Sequence, residues 1–315
     1  MTKTVAIVGC GLIGQAWTIS FARAGRQVRL WDAKDNVART MLNGLPPILE
    51  DLNKHGLLGR AAEDVISKIT ICNTLEEAVS DVDHVQENSP ETIDIKRTVF
   101  EHLDKLTDRK TILASSSSAL LPSNFTEGLK GRERCLVIHP INPPYLVPAV
   151  EIVPSKWTSS YAVEHSVELM SEIGQVPITM KKELDGFIMN RLQGALMEEA
   201  FRLVDGGYAT AEEVDIGIRD GLALRWSFIG PFETIDLNAP GGVRDYAERY
   251  NEMYRGIAAK ATQRVDWSGN VLNDVEDDRR EALPEEQLAE RRAWRDLRLM
   301  ALIAHKKEVK KELGS

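Results

Sequence analysis

The stretch VIHPINPPYLVPAVEIV, residues 137–153, sets a histidine and a glutamate twelve positions apart. Two short β-branched runs flank a loop with prolines at 140, 143, 144 and 148; His139 ends the first run and Glu151 lies in the second. An imidazole titrates near neutral pH, so it suits proton transfer to or from a reacting hydroxyl. A carboxylate bonded to its far nitrogen fixes the tautomer and stabilises the imidazolium once formed. The proline-rich connection can fold the second run back beside the first and bring the two side chains together. A histidine next to a proline is, taken alone, more often a satisfied structural residue. Its meaning depends on what else the chain holds.

The other chemistry-bearing pattern is TVAIVGCGLIGQAWTISFARAGRQVRLWD, residues 4–32. Gly9, Gly11 and Gly14 have the spacing of a dinucleotide-binding turn, with Leu12 and Ile13 between them. The β-branched run 4–8 precedes the turn, and a helical stretch with Ile13, Ala16, Trp17 and Ser20 on one face follows it. The three glycines serve in turn for a tight bend, close approach to pyrophosphate, and close helix–strand packing. The start of the helix offers free N–H groups to the phosphates. Asp32 ends the second strand and can accept from a ribose diol; its charge repels a 2′-phosphate and so favours NAD over NADP.

These residues need a scaffold. Strand-like runs at 68–73, 84–88, 110–115 and 134–140 alternate with helical segments, which predicts a Rossmann-type, doubly wound, mainly parallel sheet. Ligands then lie outside the carboxyl ends of the strands, where Glu87, the serines 115–118 and His139 fall. From about residue 185 the texture becomes helical. GFIMNRLQGALMEEAFRLVDGG reads as a long buried helix stopped by Gly206-Gly207, and Thr210 with Glu213 reads as a capping box. The expected division is 1–184 for an NAD-binding domain and 185–315 for a helical substrate and dimerisation domain. An apolar stripe around Leu297 and Met300 suggests the mating face of a homodimer.

The 315 residues are 43% hydrophobic, enough for two domains with sizeable cores. The net charge of −9 argues against a nucleic-acid partner. No apolar run approaches a membrane span, and the first residues enter a strand without a cleavage pattern, so a cytoplasmic protein is expected. Cys10, Cys72 and Cys135 have neither disulfide nor metal-ligand spacing.

In the glycine turn with Asp32, SSSSALLPS, HPINPPYLVPAVEIV and GFIMNRL, the chain resembles the 3-hydroxyacyl-CoA dehydrogenase superfamily from about residue 4 to about 300. The resemblance implies an NAD-dependent oxidation of a secondary alcohol. It implies His139 as general base with Glu151 orienting it, and Ser118 and Asn190 as the serine and asparagine that hydrogen-bond the reacting oxygen. It also implies that Glu91 and Lys96 contact NAD, and that the site lies where the two domains meet. The chain departs from the family pattern at Asp185, Asn88 and Ser89, with no effect on the chemistry expected.

Arg225, in LALRWSF, is the clue to substrate. A guanidinium among apolar residues is either paired within the fold, with Glu233 or Asp236 for example, or reserved for a ligand carboxylate. The second case predicts a free 3-hydroxy acid of the L-gulonate kind, a small anionic substrate, rather than an acyl-CoA thioester. A 3-hydroxyacyl-CoA is an alternative, and L-carnitine is another, with Trp226, Phe228, Tyr145 and Phe232 as candidates for an aromatic box around its quaternary ammonium. A non-enzymatic alternative is a structural protein that binds NAD without turnover.

Overall fold

The computed structural model describes residues 4–260 and 264–314. Among them, eight strands form one sheet: β1 (Thr4–Val8), β2 (Gln27–Trp31), β3 (Ile69–Ile71), β4 (His84–Glu87), β5 (Ile112–Ser115), β6 (Cys135–Pro140), β7 (Ala149–Pro154) and β8 (Val176–Thr179). The order across the sheet is β3-β2-β1-β4-β5-β6-β7-β8. Neighbours run parallel except β6 and β7, which are antiparallel across the proline-rich loop. The doubly wound sheet expected from the strand–helix rhythm is therefore present, with one reversal at its far side.

Both faces of the sheet are covered, which is why the strands read as unbroken apolar runs. Val5, Ile7, Ile112, Ile138 and Ile152 enter one core, with Trp17 and Phe21 from the helix Leu12–Arg23. Ala6, Val8, Val85, Leu113, Val137 and Val153 enter the other, with Phe100 and Leu103 from the helix Ile93–Leu106. Side chains alternate along a strand. Glu87, Ser115, His139 and Glu151 therefore share the second face, and His84 and Gln86 share the first. No described helix is long and apolar enough to cross a membrane.

The chain divides into two compact units, Met1–Ile188 with Ala293–Ser315, and Met189–Arg292. The sequence expectation placed 185–315 together, but the last helix, Leu288–Leu313, gives its later turns back to the first unit. Met300 is buried in the first core, with Leu299, Ile303 and Ala304 packed against it. Burying such a side chain contributes about 1.5–3 kcal/mol, enough to hold the tail there. Met300 is thus unavailable as the mating face expected of it, whereas Leu297 is exposed. The helix Met189–Asp205 also differs from expectation: none of its residues is buried, and Leu192 is 64% exposed. The chain's own helices leave its apolar stripe open. It does stop at the glycine pair, with Gly207 at φ +67°, and the capping box of Thr210 and Glu213 is formed.

His84 is fully enclosed on β4, beside Phe21, with Nε2 2.9 Å from Gln86 Oε1 and no hydrogen-bond partner for Nδ1. Burial, only partly offset by the Gln86 bond, pushes its pKa down from 6.5 to about 4. Between those values the unfolded chain binds a proton that the folded chain refuses, so stability falls as pH drops through the window, by up to roughly 3 kcal/mol. His84→Gln is expected to flatten the fall of Tm between about pH 6.5 and 4. An acid limb as steep as that of the unaltered protein would remove His84 as its cause.

Candidate active site

The glycine turn forms at the carboxyl end of β1. Gly9 has φ +92°, and a Cβ there would fall 2.8 Å from the carbonyl oxygen of Asn88. A Cβ on Gly14 would fall 2.0 Å from the carbonyl oxygen of Gly9, so only glycine lets the helix approach the turn. At Gly11 nothing lies within 4 Å of that position. The open space there, at the start of the helix Leu12–Arg23, fits a pyrophosphate. Leu12 is 76% exposed at the same end, while Ile13 packs against the core. Asp32 Oδ2 accepts from the amide of Cys10 at 2.7 Å and Oδ1 from the amide of Lys34 at 2.9 Å. The carboxylate is tied to the turn while its remaining lone pairs suit a ribose diol. These residues fit a dinucleotide.

Across the sheet, the antiparallel register sets His139 directly opposite Glu151. His139 Nδ1 lies 2.7 Å from Glu151 Oε2, and the glutamate is fully buried. Its other oxygen accepts from the amide of Ile188 at 2.7 Å. With Nδ1–H donated to the carboxylate, Nε2 is left as the acceptor of the ring. Phe187 lies against the imidazole, with ring centroids 5.5 Å apart. It is fully buried and held at φ +49°, a region an aromatic residue occupies only at a cost of about 1–3 kcal/mol. Sequence reasoning passed over Phe187; the only signal was the Gly-Phe pair ahead of the helix.

The four serines that begin at the last residue of β5 differ in what they bond. The Ser115 hydroxyl donates to Glu87 Oε2 at 2.6 Å. Ser116 donates to Asn88 Oδ1 at 2.7 Å and accepts from Gln86 and Trp17. Ser117 donates to Glu91 Oε1, which also accepts from the amides of Ser118, Ala119 and Leu120. Partial burial works against the Glu91 charge, but the Ser117 hydroxyl, the Ala119 and Leu120 amides and the Lys96 ammonium hold its carboxyl below the ordinary range. Ser118, the candidate catalytic serine, is exposed at the tip.

Other expected residues lie differently. Lys96 is 1% exposed, and its three N–H donors go to both oxygens of Glu87 and to the carbonyl of Ser89. Its ammonium is thus held between two segments of the fold. Asn190 is the second residue of the helix Met189–Asp205, in the second unit. Arg225 is exposed in the same unit. Among the described residues it has no ion pair with Glu233 or Asp236; Asp236 instead accepts from the amide of Val243. Of the box candidates, Tyr145 is buried in the first core, whereas Trp226, Phe228 and Phe232 are exposed.

Two family profiles match the chain: "3-hydroxyacyl-CoA dehydrogenase, NAD binding domain" over residues 4–184 and "3-hydroxyacyl-CoA dehydrogenase, C-terminal domain" over residues 186–270. The chain is 40% identical over 309 residues to lambda-crystallin of Oryctolagus cuniculus, covering 97% of each protein. It is 34% identical to an L-carnitine dehydrogenase of Pseudomonas sp, covering 96% of this chain and 93% of the relative. Among solved structures, an NAD+-dependent dismutase, 5-formyl-3-hydroxy-2-methylpyridine 4-carboxylic acid 5-dehydrogenase, superposes with a TM-score of 0.82 at 26% identity, over 98% of this chain and 99% of that one. A turn built for a dinucleotide, NAD as its cofactor, and two profiles that together span most of the sequence lead to one conclusion: the chain belongs to the 3-hydroxyacyl-CoA dehydrogenase family of NAD-dependent oxidoreductases.

Proposed function

We propose that the chain oxidises the 3-hydroxyl of a small free hydroxy acid of the L-gulonate kind. The observation that carries the reading is the His139–Glu151 pair, at the same end of the sheet as the dinucleotide turn. Bound NAD supplies an acceptor for the hydride that leaves the carbinol carbon. His139 takes the hydroxyl proton at Nε2, because Nδ1 is committed to Glu151. The O–H bond breaks toward the imidazole as the C–H electron pair departs, and carbon and oxygen become a carbonyl. Glu151 stays aimed because the Ile188 amide holds its second oxygen, and it stabilises the imidazolium. Ser118 and Asn190 hydrogen-bond the reacting oxygen, whose charge changes most along the path.

The acid reading rests on Arg225, a guanidinium with no ion pair among the described residues and with exposed aromatic neighbours in sequence. A free carboxylate matches its planar fork, and a thioester does not. The exposed Trp226, Phe228 and Phe232 support a second reading, in which a quaternary ammonium acid such as L-carnitine is taken instead. The second unit also exposes Tyr250, Met253, Tyr254 and Ile257 along the helix Gly242–Lys260. We read this stripe as part of a two-fold homodimer surface, which sedimentation at micromolar concentration checks.

Four variants test the site. Asp32→Asn is expected to narrow a preference for NAD over NADP of at least roughly tenfold, read by titration with NADH and NADPH. An NADP preference in the unaltered protein overturns this view of the ribose site. His139→Asn is expected to lower kcat by about two to four orders of magnitude with NADH affinity nearly unchanged, and Glu151→Gln to cost less. Retention of most activity without His139 moves the base elsewhere. Arg225→Met is expected to raise KM for free hydroxy acids, with a loss in kcat/KM of about thirtyfold to a thousandfold and little change in Tm. A lower Tm with KM unchanged for every acid returns Arg225 to the scaffold.

A further inference from the structure

One ion pair beneath the site has no role in the proton transfer just described. Glu87 closes β4 and is fully buried; Lys96 reaches it from the helix Ile93–Leu106 and is 1% exposed. The Glu87 carboxylate accepts from both the amide and the hydroxyl of Ser89, from Lys96 at 2.9 Å on each oxygen, and from Ser115 Oγ. Lys96 closes the circuit at the Ser89 carbonyl, 3.0 Å away. Ser89 is thus gripped at its N–H, its hydroxyl and its carbonyl by one pair of charges.

Burying two charges costs several kcal/mol each in lost hydration, and well-packed apolar residues of the same size are often as stabilising or more so. What charges provide, and hydrocarbon does not, is direction: several strong bonds that fix their partners in one geometry. The partners here belong to two loops. The segment after β4 runs through Asn88, whose carbonyl oxygen lies 2.8 Å from where a Cβ on Gly9 would be, so its position bears on the dinucleotide turn. The segment after β5 carries the serines. The Ser115–Glu87 bond joins the ends of the two strands, and bonds of Ser116 to Asn88 and Ser117 to Glu91 join the loops that follow them.

We infer that Glu87 and Lys96 are positioning residues that set the serine loop, and with it Ser118, against the nucleotide turn. The inference rests on the dehydrogenase reading above. Ser115 is the link between pair and loop. Displacement of a reacting group by about 1 Å costs on the order of a hundredfold in rate, so a loosened loop is felt in turnover before it is felt in folding.

The test uses the full chain with Ser115→Ala, which leaves the ion pair intact, and with the neutral double variant Glu87→Gln/Lys96→Met. In Ser115→Ala, kcat is expected to fall about tenfold or more, with NADH affinity within about threefold and Tm nearly unchanged. Amide hydrogen exchange at residues 116–120 is expected to quicken in both variants, as it does where local anchoring is lost. Unchanged kcat and unchanged exchange in folded variants overturn the inference and leave the pair a structural one. A loss of activity that only tracks the folded fraction overturns it too. If the unaltered protein turns over no hydroxy acid, the dehydrogenase reading fails, and the exchange rates still decide whether the pair sets the loop.

Discussion

Everything at the candidate centre depends on the register of one antiparallel strand pair. β6 and β7 are the only neighbours among the described strands that run in opposite directions, and their pairing puts residue 139 across from residue 151. A slip by one residue would turn Glu151 to the other face of the sheet and leave the imidazole without its carboxylate. The register is held on both sides, since Ile138 and Ile152 enter one core while Val137 and Val153 enter the other. Hydrophobic packing at four positions thus fixes a polar pair that has little packing energy of its own.

The same division of labour recurs on β4. That strand alternates His84 and Gln86 toward the first face with Val85 and Glu87 toward the second. On the first face the polar chain runs from His84 to Gln86 to Ser116, with Trp17 joining at the serine. On the second it runs from Lys96 to Glu87 to Ser115. Four consecutive serines would be an unremarkable polar loop on composition alone. Here the first three are each claimed by a different carboxylate or amide, and the fourth stands at the tip.

Much of this was legible in the residues. The β-branched runs announced strands buried on both faces, the glycine spacing announced the turn, and the proline-rich loop announced that residues 139 and 151 could meet. What failed to show was anything requiring knowledge of which surfaces meet. The ion pair of Lys96 with Glu87 went unseen because spacing along the chain does not reveal that the two lie side by side. Met300 looked like an interface residue because an amphipathic helix reads the same whether its partner is another chain or its own core. Phe187 was overlooked because a left-handed backbone at an aromatic residue has no pattern in the letters. Asn88 and Ser89 stood out only as departures from the family, yet they occupy the junction of both polar chains.

The return of residues 293–315 to the first unit has a consequence for how the protein is made. The nucleotide-binding unit is discontinuous in sequence, and its core lacks Met300 until all of residues 189–292 have been synthesised. During translation that unit must wait with an apolar face open, and it closes only when the last helix emerges. Completion of the first half is thereby tied to completion of the second. A ribosome that stalls within the helical region releases a chain whose sheet is fully encoded but whose core is unsealed, the kind of species that chaperones and proteases recognise.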